Sequence, residues 1–249
     1  MTKHYLIGGS TAKRTLNCSQ WYYKSKNLPA VESSAAADVG TLCHLAMQKY
    51  YDEGLEFSEL VDKLKYKGYL LSEYYVNTLL KPAVHMVDTL VDKENITQAF
   101  FEITHEYNKY IGGTADILAL SEDKKTLFII DYKFGSHNVN VKENKQLYTY
   151  AFLALSDEKL RGIFEQVIKV KFVIIQPKIS KKYKIYETTK NNVLMFAKLL
   201  ITASLNLFNP EALALEKGGW CFFCPAKIKC DNEENNLRKN KLAETLNII

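Results

Sequence analysis

The chain has 249 residues, of which 47% are hydrophobic, 12% aromatic and 24% charged, with 11 glycines and 5 prolines. That is enough apolar chain for one large domain or two small ones, and it excludes a disordered or collagen-like polymer. The formal net charge of +5 permits a polyanionic partner without demanding one. Only three of the 33 basic residues are arginines, Arg14, Arg161 and Arg238. A lysine-dominated surface suits sequence-blind contact with phosphates better than the reading of guanine edges, although a lysine-biased genome would produce the same composition. No run of eighteen apolar residues is present; the best candidate, 194–208, is broken by Lys198 and Asn206 and reads as an amphipathic helix. The apolar stretch after Met1 is too short for a signal peptide, so a soluble, cytoplasmic protein without a membrane partner is expected.

Residues 10–24 read as a first helix, with Ser10 or Thr11 placed to cap it. A second helix is predicted over 34–52. The segment 57–93 carries Leu, Val and Tyr at three- and four-residue spacing and reads as helix-rich, with a break or kink at Pro82. Strands are predicted at 100–107 and 114–120, around a Gly112-Gly113 turn, and at 126–133 after a polar connection. Helical spacing returns over 141–155. A β-rich run at 167–176 closed by Pro177 and an alternating strand at 182–187 follow. A long helix from Asn191 to about Leu207, a cysteine-rich segment and a charged tail complete the chain. This order predicts an α/β fold, a mixed central sheet flanked by helices. A single domain over 1–249 is expected, with a helical insertion at about 55–97 and a core at about 98–208.

The sharpest local feature is Gly113-Thr-Ala-Asp116, followed fifteen residues later by Asp131 in Phe128-Ile-Ile-Asp131-Tyr-Lys133. On a strand, Asp131 and Lys133 share a face because side chains alternate. If the two strands form a hairpin, Asp116 approaches Asp131. Two hard carboxylates beside an open position bind Mg²⁺ or Mn²⁺. Such a cation lowers the pKa of a bound water and neutralises charge on a scissile phosphate, while Lys133 orients or deprotonates the water.

Five cysteines without a secretion signal argue against a disulfide framework. Cys221, Cys224 and Cys230 form a compact Cys-x2-Cys-x5-Cys segment that points to metal, and three thiolates need a fourth ligand, for which Cys18 is the candidate. Four thiolates suit either an iron–sulfur cluster or a tetrahedral Zn²⁺. Cys43, beside His44, reads as a buried thiol without an assigned role.

His44, Gly113 to Asp116, Asp131-Tyr132-Lys133 and Gln146-Leu-Tyr-Thr-Tyr150 occur in the order shown by the RecB-like branch of the PD-(D/E)XK nuclease superfamily, which this chain resembles. The resemblance implies a restriction-endonuclease-like sheet. It implies His44, Asp116 and Asp131 as metal ligands together with the carbonyl of Tyr132, Lys133 as the catalytic lysine, and Gln146 and Tyr150 as residues that steady the site or the DNA strand. The cysteines are similar to those of AddB-type and CRISPR-associated relatives, in which Cys18 with Cys221, Cys224 and Cys230 would hold a [4Fe–4S] cluster stapling the termini, the segment involved being Cys18 plus 217–231. Structural zinc is the alternative. Ser10-Thr-Ala-Lys-Arg14-Thr-Leu-Asn-Cys18 is similar to the start of phage-associated members, with Thr15 and Ser19 departing from their pattern, and Ile175-Gln-Pro177 is similar to a strand end of that group.

The expectation is therefore a divalent-metal-dependent deoxyribonuclease, an exonuclease with single-strand activity serving phage or prophage recombination or replication. Its partner would be DNA bound without sequence preference, with a helicase or recombination protein as a further partner. Lys142 and Lys145 would track the backbone and Tyr148 would stack on bases. The alternatives are a catalytically weak DNA-binding or scaffold module of the same fold and a zinc-stabilised interaction protein.

Overall fold

The computed structural model describes residues 5–29, 32–209, 211 and 217–230. The charged tail after Cys230 lies outside the described residues. The elements in chain order are α1 (Gly9–Asn17), α2 (Trp21–Ser25), α3 (Ala35–Asp52), α4 (Phe57–Leu60), β1 (Lys65–Tyr66), β2 (Tyr69–Leu70) and α5 (Glu73–Tyr75). A π-helical turn, Val76–Leu80, then leads into α6 (Lys81–Glu94). The sheet strands are β3 (Ile96–Glu106), β4 (Gly112–Ser121), β5 (Thr126–Tyr132), β6 (Lys169–Ile175) and β7 (Lys184–Thr189), with α7 (Lys145–Ser156) between β5 and β6 and α8 (Lys190–Asn206) after β7.

Three stretches differ from the sequence expectation. The first helix is divided: Asn17 turns its side-chain amide onto the Lys13 carbonyl at 2.7 Å and α1 ends there, since such polar side chains compete with the helical ladder. Within 57–93, a hairpin interrupts the helices, because Lys67 and Gly68 both take positive φ, 45° and 86°, as a two-residue primed turn requires. Pro82 does not break its helix. It sits in the first turn of α6, where a missing N–H costs least, and the wide turn at Val76–Leu80 precedes it.

The five strands lie in the order β3-β4-β5-β6-β7. Pairing is antiparallel except between β5 and β6, which are parallel and joined through α7, as a parallel pair needs a helical crossover. The architecture is thus a mixed α/β fold, a five-stranded mixed sheet flanked by helices. Strand β5 is buried on both faces, which explains its unbroken apolar run. Phe128, Ile130 and Tyr132 join Val39, Leu42, Met47, Leu80 and Leu90 from the helices of one layer. On the other face, Tyr148 of α7 meets Phe172 of β6 edge-on at 4.7 Å.

The chain divides into two compact units, Met1–Ser10 with Ser33–Ala197, and Thr11–Glu32 with Lys198–Ile249. The first contains the sheet. In the second, Arg14 lies over the Trp21 ring at 5.2 Å and donates to the Phe223 carbonyl at 2.6 Å, while Trp21 Nε1 donates to Thr15 Oγ1. Among the described residues, no helix is long and apolar enough to cross a membrane.

Candidate active site and metal centre

The register of the sheet brings acids together. Ile117 pairs with Ile130, so the next position places Asp116 opposite Asp131. Phe101 pairs with Ile117 and Ile103 with Ala115, which places Glu102 opposite Asp116. Glu102, Asp116 and Asp131 therefore form one transverse row across β3, β4 and β5. His44 arrives from α3, with Nδ1 at 3.4 Å from Asp116 Oδ1. Helix α3 starts where Ser34 accepts from the Ala37 amide, a cap that fixes the register on which His44 is carried. Ligand atoms of His44, Glu102 and Asp116 all lie within 4.8 Å of one another.

Asp131 is buried and held from two sides. Lys133, two residues on and on the same face, brings Nζ to 2.6 Å from Oδ2. Gln146 Nε2 donates to Oδ1 at 2.9 Å and lies 3.1 Å from the Tyr150 hydroxyl. The four-residue spacing of Gln146 and Tyr150 puts them on one face of α7, and Asn144 caps that helix by accepting from the Gln146 and Leu147 amides. The backbone N–H of Tyr132 donates to Asp116 Oδ2 at 2.7 Å.

The electrostatics follow from this crowding. Burial, with the Asp116 charge adding to it, pushes the Glu102 carboxyl up to about 8. Burial likewise lifts Asp131 to about 6 against the pull of Lys133. Burial acts to raise Asp116 too, but the His44 charge and then Lys133 hold it below the ordinary carboxylate value. For His44, burial acts to lower the imidazole, and Asp116 outweighs it and holds it above the ordinary value. Three carboxylates share two cationic neighbours, and two of the three are driven towards their neutral forms. Such a site is short of positive charge. A hard divalent cation fits that deficit, since carboxylates and an imidazole suit Mg²⁺ or Mn²⁺ and a bound ion reverses the local pKa logic.

Of the residues expected from the sequence, His44, Asp116, Asp131, Tyr132, Lys133, Gln146 and Tyr150 all fall in this one neighbourhood. Glu102 was missed. Its only sequence signal is an acid between Phe101 and Ile103 in the first strand of the meander. Lys142 is exposed and Lys145 lies over the Tyr148 and Phe196 rings at 5.8 and 5.9 Å. Tyr148 is not available to bases: it is 8% exposed, packed on Phe172 and Phe196, with its hydroxyl 3.1 Å from Thr188 Oγ1.

Cys18, Cys221, Cys224 and Cys230 all belong to the second unit. Burial raises the Cys18 thiol, with smaller contributions from the charges of Cys224 and Cys221. Among the described residues, no three of these thiols lie within 4.8 Å of one another. Tetrahedral zinc, with Zn–S near 2.3 Å, would set its thiolates about 3.8 Å apart, so the thiols do not form a zinc-sized cage. They are not gathered into a cluster in this arrangement.

The family model described as "Protein of unknown function (DUF2800)" matches residues 4–245. The chain belongs to this family. No curated protein gives a match to this DUF2800 chain. Among solved structures, it is similar to the alkaline exonuclease LHK-Exo from Laribacter hongkongensis, at 10% identity over 95% of this chain and 94% of that one, with a TM-score of 0.37. It is also similar to an exonuclease candidate from Eubacterium rectale, at 11% identity over 82% and 79% of the two chains, with a TM-score of 0.46. A third is LHK-Exo in complex with dAMP, at 12% identity over 93% and 97%, with a TM-score of 0.28.

Proposed function

We propose that this DUF2800 chain is a divalent-metal-dependent deoxyribonuclease, an exonuclease with single-strand activity that serves phage or prophage recombination or replication. The observation that carries the reading is the row Glu102–Asp116–Asp131, with His44 and Lys133 at its two sides. His44, Glu102, Asp116 and Asp131, with the Tyr132 carbonyl, are the groups that would hold the cation. When bound, a divalent cation supplies water activation and charge neutralisation at a phosphodiester. In this reading Lys133 orients or deprotonates the attacking water and stabilises the charge developing on the phosphorus oxygens. Gln146 fixes the Asp131 carboxylate through its Oδ1, and Tyr150 holds the Gln146 amide.

The substrate in this reading is DNA bound through its backbone, with exposed lysines such as Lys142 contacting phosphates. In this reading Cys18, Cys221, Cys224 and Cys230 would hold a [4Fe–4S] cluster, with structural zinc as the alternative, because four thiolates are the donor set that either group takes. Iron and zinc analysis of anaerobically purified protein separates the two.

The deciding experiment is a gel assay on end-labelled single- and double-stranded DNA with Mg²⁺, Mn²⁺ or EDTA, with Lys133→Ala beside the wild type. Cation-dependent cleavage that the variant loses is the expected result, and the product ladder gives the polarity. Intact DNA in every lane from folded protein overturns the reading in favour of a binding module.

A further inference from the structure

We propose that Gly9 is a positioning residue for Gln146 and Tyr150, and that residues 5–9 form a wall of the active site. The assignment rests on the nuclease reading only for its consequence in cleavage. The segment is anchored along the start of β4. Ile7, fully buried, donates its N–H to the Tyr110 carbonyl at 2.9 Å and accepts from the Gly112 N–H at 3.1 Å, forming a parallel bridge with Ile111. Tyr5 donates its hydroxyl to Glu106 at 2.8 Å, and its ring lies so close over Gly112 that a Cβ there would sit 2.6 Å from it.

Two residues after Ile7, the backbone of Gly9 lies directly on α7. A Cβ on Gly9 would stand 2.7 Å from Gln146 Cγ, 2.7 Å from Tyr150 Cζ and 2.9 Å from Tyr150 Cε1. The Tyr150 ring has little room to retreat: a Cβ on Gly113, the glycine of the Gly-x-x-Asp segment, would stand 3.2 Å from Cε1 of the same ring. Gln146 is committed as well, through its bond to Asp131. Gly9 carries no positive φ, so a glycine is needed here for space and not for backbone conformation. Alanine is otherwise the better helix former, and at an uncrowded helical position Gly→Ala would be neutral or stabilising. At Gly9 it must displace Tyr150, Gln146 or the segment itself, and with Gln146 the Asp131 carboxylate loses its orienting bond.

The test compares Gly9→Ala with wild type in three readouts: the thermal melt, the Gln146 side-chain amide cross-peak in metal-free protein, and the affinity for MnCl₂ by calorimetry. The expected result is a cooperative melt, a shifted Gln146 amide, and Mn²⁺ affinity weakened about tenfold, the scale of losing a partner that orients a ligand. Gly162→Ala, whose Cβ meets open space, should move neither the amide nor the affinity. In a Gln146→Ala/Tyr150→Ala background, Gly9→Ala should add little to the change in Mn²⁺ affinity or melt, because both side chains it presses on are gone. An unmoved amide and unchanged Mn²⁺ affinity in Gly9→Ala overturn the assignment. If Gly9→Ala does not fold, recovery of folding in the Gly9→Ala/Gln146→Ala/Tyr150→Ala variant supports it and continued failure overturns it. Wild-type protein that binds Mn²⁺ and leaves DNA intact overturns the nuclease reading, while the amide and the titration decide Gly9 independently.

Discussion

The backbone N–H of Tyr132 donates to Asp116 Oδ2 at 2.7 Å, so the residue between Asp131 and Lys133 is bonded to the carboxylate of the preceding strand. One oxygen of Asp116 thus serves the fold, and the other, Oδ1, faces His44 at 3.4 Å. The two jobs separate by substitution. Asp116→Asn retains an acceptor for Tyr132, whereas Asp116→Ala strands that N–H, at a cost of about 1–3 kcal/mol. Urea unfolding in EDTA should therefore rank Asn close to wild type and Ala well below, while calorimetry with MnCl₂ shows weak or no binding in both. Equal destabilisation by Asn and Ala would count against the structural half of this division.

Glu102 combines two costs in the metal-free protein. Its φ of 48° is left-handed, which for a non-glycine residue costs about 1–2 kcal/mol, and burial, with the Asp116 charge adding to it, pushes its carboxyl up to about 8. Strain of this kind is kept where function uses it. Glu102→Gly relieves both costs, so the EDTA-treated variant should melt above wild type, by about 1 kcal/mol in stability. Its Mn²⁺ affinity should fall at least about tenfold. A variant that binds Mn²⁺ as wild type does would remove Glu102 from the ligand set.

What could be read in advance depended on where the determining contacts lie. The ends of β4 and β5 announced themselves because Asp116, Asp131 and Lys133 interrupt apolar runs. Glu102 did not, since β3 is half-exposed and carries Gln98 and Glu106 without comment; only its register against β4 puts it in the row. Gly9 lies just before the helix predicted over 10–24 and carries no signal of its own, and the ring it accommodates belongs to α7, far along the chain. The expectation that Tyr148 stacks on bases rests on its helix position alone, and the side chains that bury it come from β6 and α8. The hairpin around Lys67-Gly68 was hidden because Tyr and Leu at three- and four-residue spacing fit a helix equally well.

Gln176 organises the loop that leaves the site. It is 1% exposed; its Oε1 accepts from the Val139 N–H at 3.2 Å and Lys184 Nζ at 3.1 Å, and its Nε2 donates to the Gly135 and His137 carbonyls at 3.2 and 2.7 Å. Lys184 adds bonds to the Val139 carbonyl and the Asn138 side chain. Gln176→Leu fills the same space and removes its bonds to the Val139 N–H and to the Gly135 and His137 carbonyls, while Lys184 keeps its bonds to Val139 and Asn138. A loss of about 2–4 kcal/mol is expected from two or more stranded groups, with faster proteolytic cutting at residues 135–140. Unchanged stability and cutting would show that the loop holds itself without Gln176.

His105 and Asp157 give the pH dependence. His105 is 2% exposed, with Nδ1 at 2.8 Å from Asp157 Oδ2 and Nε2 buried without a hydrogen bond. Burial acts to raise the Asp157 carboxyl, but the bonds from His105 and the Lys159 amide hold it below the ordinary 3.8. A carboxyl with a lowered folded-state value contributes stability that is present above 3.8 and lost as the pH falls through the lowered value. Asp157→Asn keeps an acceptor for His105 and removes the charge, so it should cost about 1 kcal/mol near neutrality. The gap between variant and wild type should then close on acidification. Urea unfolding at steps between pH 7 and about 2.5 reads this directly, since subtracting the variant curve cancels every other carboxylate. A gap that stays constant or widens towards acid would mean that Asp157 does not titrate below its unfolded value, and that the pair is held by its geometry alone.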